Sequence, residues 1–257
     1  MSEASSVELL TVQGVALEVR RWAGAGVPIV LLHEGLGSAS MWRDFPDRLA
    51  ARTGRPVIAW SRQGYGRSDA LPVARDPDYM HVEAGRVAPL LDALGIERAI
   101  LFGHSDGASI ALLAAARFPD RVERLILEAP HVYVEQITID SIAAVGRAYR
   151  GTDLPLKLGR HHQRPDQVFW RWNDIWRDRR FRDWNIEDVL PAIRAPALLI
   201  QGQDDEYGTL DQLARIERAL ADTRRLVLPA CGHSPHRDQP EAVLAAVDAF
   251  LAQPFQL

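Results

Sequence analysis

The sequence holds one cysteine, Cys231, in 257 residues. No disulfide can therefore close within the chain, and no thiolate cluster can gather around a metal ion. Secreted disulfide scaffolds and zinc ribbons are excluded. Long apolar runs are also missing: none approaches the roughly 20 residues that cross a bilayer. Charge of one sign is scarce too, with 30 Lys and Arg against 34 Asp and Glu and a net charge of −4. That balance supplies no continuous basic face for phosphates, so neither nucleic acid nor a membrane is the expected partner. The opening Met-Ser-Glu-Ala-Ser-Ser lacks the basic and apolar stretches of a secretory leader, and a cytoplasmic location is the expectation. What is present is 47% hydrophobic residues. That is enough for a sizeable core in one large α/β domain, with or without an insertion.

Short runs rich in Val, Ile and Leu recur at Val27–Leu32, Val57–Trp60, Ala99–Phe102, Arg124–Leu127, Ala197–Ile200 and Arg225–Leu228. They are apolar at successive positions rather than alternating, which predicts strands buried on both faces in a parallel sheet. Between them, Ser40–Ala51, Tyr79–Leu94, Ser105–Phe118, Leu210–Ala221 and Pro240–Leu251 carry apolar residues at helical spacing. The alternation predicts a doubly wound α/β sheet whose ligand crevice lies at the carboxyl ends of the strands. Glu8–Val12 and Val15–Arg20 around Gly14 read as an edge hairpin. From His131 to Leu190 the strands stop and helical patterns take over, with Trp170, Trp172, Trp176 and Trp184 among them. The chain is accordingly divided into a core of 1–130 and 191–257 and a helical lid of 131–190. The lid tryptophans either line a pocket or pack the lid onto the body; Trp170 and Trp176 are the candidates for substrate contact.

Gly103-His104-Ser105-Asp106-Gly107 lies between a predicted strand and a predicted helix. G-x-S-x-G in that setting is a strand-to-helix elbow that exposes the serine Oγ, because glycines on either side remove Cβ atoms that would collide. A serine hydroxyl needs a base, and the base an orienting acid. Gly202-Gln203-Asp204-Asp205-Glu206 offers three acids at one strand's carboxyl end, and Cys231-Gly232-His233 follows the last strand. The oxyanion of an attacked carbonyl needs N–H donors, each contributing about 3 kcal/mol. The loop His33-Glu34-Gly35-Leu36-Gly37 supplies one, Gly35 first and Leu36 second, and Asp106 after the nucleophile supplies the other. Glu34 would oppose negative charge there and is expected to point away.

These pieces resemble the α/β-hydrolase superfamily along essentially the whole chain. The resemblance rests on Leu31–Gly37, Ser61-Arg62-Gln63-Gly64-Tyr65-Gly66-Arg67-Ser68, Gly103–Gly107, Gln201–Asp205 and Gly232-His233-Ser234-Pro235-His236, in the family's order. It implies an eight-stranded, mostly parallel sheet with a helical cap after the sixth strand. Proline iminopeptidases, ring-cleavage-product hydrolases and small esterases are relatives of this kind. In them the acid falls three residues after the glycine ending its strand, which selects Asp205; Glu128, ending the sixth strand, is the fallback. The resemblance departs at Glu34, where the family carries glycine. A serine nucleophile disfavours the dehalogenases and epoxide hydrolases of this fold, which use aspartate. Ser105-Asp106-Gly107 is similar to the motif of biphenyl-hydrolase-like amino-acid-ester hydrolases, so Asp106 either binds a substrate cation or bonds neighbouring backbone.

The expected protein is a serine hydrolase of small carboxylic esters, with Ser105 as nucleophile, His233 as base and Asp205 as orienting acid. Hydrolysis of C–C bonds in ring-cleavage products, aminopeptidase action and a ligand receptor that retains the fold are the alternatives. No cofactor or metal is implied. His233-x-x-His236 lacks the helix of a zinc motif, Gly64-x-Gly66 is too short for a dinucleotide fingerprint, and the Trp–Arg alternation at 170–177 is neutralised by Asp174, Asp178 and Asp183. His161-His162 reads as surface. The partner is a small molecule, met by a monomer or homodimer.

Overall fold

The computed structural model describes residues 7–253; the N-terminal hexapeptide on which the leader argument rests lies outside them. The described chain runs β1 (Val7–Val12), β2 (Val15–Trp22), β3 (Ile29–Leu32), α1 (Phe45–Thr53), β4 (Val57–Trp60), α2 (Tyr79–Gly85), α3 (Val87–Ala93), β5 (Ala99–His104), α4 (Asp106–Arg117) and β6 (Val122–Glu128). It continues through α5 (Gln136–Ala148), α6 (Leu154–Gly159), α7 (Pro165–Arg177), β7 (Ala197–Gly202), α8 (Asp211–Ala219), β8 (Thr223–Leu228), α9 (Pro235–Asp238) and α10 (Pro240–Leu251). Eight strands form one sheet in the order β1-β2-β4-β3-β5-β6-β7-β8. The β1–β2 hairpin and the β2–β4 pair are antiparallel, and β4, β3 and β5 to β8 run parallel.

The side-chain period of two divides each strand between two cores. Ile29, Leu31, Ile100 and Phe102 pack with α1 and α10, while Val30, Leu32, Leu101 and Leu127 pack with α2, α3, α4 and α8. Where proline interrupts a predicted element the boundary moves. Pro28 has no N–H for the ladder, and β3 begins at Ile29 rather than Val27. Pro46 cannot donate to the carbonyl of Trp42, and the helix expected from Ser40 becomes a 3₁₀ turn, Ala39–Trp42, followed by α1. Pro89 removes the bond to Gly85, and the helix expected over 79–94 divides into α2 and α3.

The loops after β3, β5, β6, β7 and β8 meet at one end of the sheet. Strand order reverses at the β3/β5 pair, the place where an open α/β sheet forms its crevice. The connection from β6 to β7 holds α5, α6, α7 and short 3₁₀ turns, and its only strand-like pairing among the described residues is a single bridge between Tyr133 and Asn185. Phe169, Trp172, Trp176, Phe181 and Trp184 of this helical segment join the core on the α4 face.

Candidate active site

Ser105 stands between β5 and α4 with φ 54° and ψ −120°, a positive-φ conformation that costs a non-glycine residue on the order of 1–3 kcal/mol. The strain persists because the elbow is over-determined. A Cβ at Gly107 would collide with the carbonyl oxygen of Leu32, and one at Gly103 with that of Gly107. The Ser105 N–H is tied to the Glu128 carbonyl at 2.8 Å, so β6 holds the turn from the other side.

His233 Nε2 lies 2.9 Å from Ser105 Oγ, and His233 Nδ1 lies 2.8 Å from Asp205 Oδ1. A carboxylate can only accept from Nδ1–H, so Nε2 is left with a lone pair facing the serine hydroxyl. Asp205 is buried and held by the N–H groups of Tyr207 at 2.8 Å and Gly208 at 3.3 Å and by Gln201 Nε2 at 3.2 Å. Its neighbours Asp204 and Glu206 are exposed. Burial disfavours charge on both members of the pair, yet their attraction prevails. Asp205 titrates below the ordinary aspartate value and His233 above the ordinary histidine value. The His233 carbonyl accepts from His104 Nε2 at 2.6 Å, which anchors the His233 loop to β5. Glu128 is fully buried and bonds a different imidazole, His236 Nδ1, at 2.6 Å.

The loop after β3 approaches the same point. The Glu34 carboxylate accepts from the N–H of Leu36, and the Gly37 N–H donates to the Glu34 carbonyl at 3.1 Å. Leu36 is thereby occupied, and the Gly35 N–H is the donor left without a partner among the described residues. The Asp106 N–H, first in α4, has no acceptor within its own helix. A cavity of about 230 Å³ opens over Ser105 and His233, walled by Glu34, Gly35 and Tyr207 from the core and by Ile142, Leu158, Trp172 and Trp176 from the helical segment.

The profile of the alpha/beta hydrolase family matches residues 29–246, which spans the sheet from β3 into α10. This chain is an alpha/beta hydrolase. It is 27% identical to the 2-hydroxy-6-oxononadienedioate/2-hydroxy-6-oxononatrienedioate hydrolase of Comamonas testosteroni, over 90% of this chain and 89% of that one. It is 27% identical to the serine hydrolase BPHL of Homo sapiens, over 88% and 80%. Among solved structures, a membrane phospholipase A described as a bacterial virulence factor superposes with a TM-score of 0.81 at 24% identity, covering 96% of this chain and 86% of that one. Among the described residues no helix is long and apolar enough to cross a membrane.

Against this hydrolase framework several sequence expectations are corrected. Glu34 does not point away: its carboxylate turns back onto its own loop and forms part of the cavity wall. Burial, the Asp106 charge nearby and incomplete compensation raise its pKa. Of the two readings of Asp106, a bond to neighbouring backbone is not seen among the described residues, and the buried carboxylate that would meet a substrate cation already has partners within the fold. Tyr79 Oη donates to it at 2.8 Å and Trp176 Nε1 at 3.3 Å, with Arg62 at 3.8 Å. Of the two candidate tryptophans, Trp176 lines the cavity, whereas Trp170 lies against Tyr149, Phe169 and Arg150, away from it. Trp172 takes that place. Residues 172 and 176 are one helical turn apart, whereas 170 projects about 200° away from 172, a signal readable from spacing. His162 is 4% exposed and His161 bonds Ser40, so neither is an ordinary surface histidine. His131, whose ring lies 5.1 Å from Trp176 and 5.9 Å from His233, carries no sequence signal.

Four buried histidines, His33, His104, His131 and His162, all titrate below the ordinary value, burial being the largest cause; His131 and His162 are pushed down to about 4. Each remains neutral in the fold while the unfolded chain takes up protons from about pH 6.5 downward. Their contribution to stability is complete above that pH and is lost on descending toward 4. It amounts to about 3 kcal/mol each for His131 and His162, and the raised pKa of His233 opposes a part of the loss. Urea unfolding at about pH 7.5 and about pH 4.5 is expected to show a clear loss at the lower value; equal stability at both would mean these imidazoles are not buried uncharged.

Proposed function

We propose that this alpha/beta hydrolase is a cofactor-independent serine hydrolase that cleaves a small carboxylic ester through an acyl-enzyme. The observation that carries the reading is the aligned set Asp205 Oδ1, His233 and Ser105 Oγ, at 2.8 and 2.9 Å, beneath a cavity of about 230 Å³. Ser105 Oγ attacks the ester carbonyl as His233 Nε2 takes its proton, and the carbonyl oxygen becomes an oxyanion facing the N–H groups of Gly35 and Asp106. Collapse of that intermediate expels the alkoxide, which leaves as an alcohol with the proton from His233. Water then gives its proton to His233 and attacks the acyl carbon, and the returning proton frees Ser105 and a carboxylic acid. Asp205 holds the tautomer and stabilises the imidazolium in both halves.

The cavity is smaller than the ~300–1,000 Å³ of pockets that bury drug-sized ligands, which favours short acyl groups. Its walls carry the carboxylates of Glu34, Asp106 and Glu206 against one guanidinium, Arg237, which is itself paired with Asp238. Carboxylates beside the nucleophile oppose an acidic acyl chain, such as the dioate in the name of the Comamonas relative, and favour a neutral or amine-bearing one. The helical segment acts as the cap that shapes this preference.

The test is a series of p-nitrophenyl esters, from acetyl to octanoyl, with an aminoacyl ester beside its deamino counterpart. A burst followed by steady turnover is expected, with kcat/KM highest for the short acyl groups and higher for the aminoacyl ester than for its counterpart. No turnover across the series would overturn the ester reading and leave C–C hydrolysis or a binding role.

A further inference from the structure

From the Glu34 carbonyl to the Leu36 carbonyl, every backbone polar group of the oxyanion loop but one has a partner among the described residues. The Glu34 carbonyl accepts from Arg62 Nη2 at 2.9 Å, and the Gly35 carbonyl accepts from Tyr65 Oη at 3.0 Å. The Leu36 N–H goes to the Glu34 carboxylate. The Leu36 carbonyl accepts from His162 Nε2 at 2.8 Å. The Gly35 N–H is the group left over. Arg62 and Tyr65 belong to the core, immediately after β4; His162 does not. It follows α6 in the helical segment, 126 residues from Leu36 in sequence.

The histidine's own geometry is fully specified. Its Nδ1 accepts from the Gly66 N–H at 3.0 Å, which leaves the single proton on Nε2, aimed at Leu36. The next residue repeats the attachment, Gln163 N–H donating to the Gly66 carbonyl at 3.1 Å, and the His162 ring meets Tyr65 edge-on at 5.9 Å. Burial keeps the imidazole neutral, its pKa down at about 4, so the pattern of one donor and one acceptor persists at working pH. Elsewhere the segment touches the same loop through Trp172, whose indole fills the space a Cβ at Gly35 would need.

We propose that His162 is a positioning residue for the oxyanion loop, a strut from the helical segment that holds the Leu36 carbonyl and so keeps the Gly35 N–H aimed at the reacting carbonyl. The proposal rests on the reading that Gly35 supplies an oxyanion donor to a Ser105 acyl-enzyme. Its mechanical content is that the loop has two kinds of anchor. The core fixes the Glu34 and Gly35 carbonyls, while the last carbonyl before Gly37 is fixed through the segment that covers the substrate. Seating of that segment and alignment of the donor are therefore one event.

The test compares His162→Phe, which keeps a ring but no donor, His162→Ala, and His162→Gln, whose amide N–H can reach toward Leu36. A donor misaimed in both halves of the reaction is expected to lower kcat by about 10–100-fold with KM for a good ester nearly unchanged. Affinity for a small trifluoromethyl ketone, which forms a tetrahedral adduct with the serine, should fall by the same factor. His162→Gln should recover most of both. Thermal unfolding accompanies each variant, and if alanine fails to fold the phenylalanine and glutamine pair carries the comparison. If kcat falls while ketone affinity stays at the parent level, or if glutamine is no better than phenylalanine, the proposal is wrong. If the ketone does not bind the parent enzyme more tightly than it binds Ser105→Ala, the serine mechanism beneath it fails instead.

Discussion

Replacing Ser105 by alanine is expected to lower kcat on the best p-nitrophenyl ester by about 10⁶-fold, the scale seen when a triad nucleophile is removed. The change takes away one oxygen atom, whose hydrogen-bond partner is His233 Nε2 at 2.9 Å. Everything else at the elbow is backbone, and alanine accepts or resists φ 54° much as serine does. Stability should therefore remain within about 1 kcal/mol of the parent, and substrate should still bind. The residual rate over water, about 10³–10⁴-fold, would come from the oxyanion donors and from binding alone. Steady-state and single-turnover kinetics with thermal unfolding decide the matter. A variant within tenfold of parental kcat would remove Ser105 from the chemistry.

The second large effect is expected at Asp205. The amide introduced by Asp205→Asn can donate toward His233 Nδ1, which favours the tautomer with its proton on Nε2, and that tautomer cannot take the proton of Ser105. A loss of about 10⁴-fold in kcat follows by comparison with the same change in other triads. The pH profile supplies an independent sign. Asp205 is the main group holding the pKa of His233 up against burial. In Asp205→Asn the acid limb of kcat/KM, which tracks the neutral imidazole, should move to lower pH. Glu128→Gln is the matched control. Glu128 bonds His236, three residues beyond the base, so its loss should cost stability while kcat stays within about tenfold. A mild Asp205→Asn together with a severe Glu128→Gln would make Glu128 the functional acid.

Much of the framework is legible in the linear sequence because the relevant forces are local. A strand apolar on both faces, such as Ile29–Leu32 or Ala99–Phe102, fits only a sheet covered on both sides, and the elbow around Ser105 is written as two glycines at fixed offsets. The proline-shifted boundaries are equally local, since each follows from one missing N–H. What local rules do not carry is the partner of a buried polar side chain. Arg62 lies in a loop, yet it is 2% exposed, bonds the Glu34 carbonyl and stands 3.8 Å from Asp106; nothing in its neighbours along the chain indicates this. His162 fails as a surface residue for the same reason. Its acceptor and donor, Leu36 and Gly66, come from the distant amino-terminal half, and a histidine pair in a polar stretch reads as solvated until that contact is seen. Trp170 is a different kind of miss: its orientation relative to Trp172 follows from the helical period and is readable without the fold.

The strand order also sets a timetable for how this enzyme comes into being. β3 and β5 pair directly, so the backbone that carries the Gly35 loop and the Ser105 turn comes from the first half of the chain, while the His162 anchor on that loop arrives later. His233 follows β8, the edge strand, which pairs with β7, which in turn pairs with β6. On the proposed roles, a refolding chain that has paired β1 to β7 but not yet docked β8 and α10 lacks both His233 and one face of its core, and is expected to be inert. Recovery of turnover is then expected to follow the docking of β8 and α10, since non-local pairings of this kind are the slow ones. Tryptophan fluorescence followed beside regained activity would separate the two clocks.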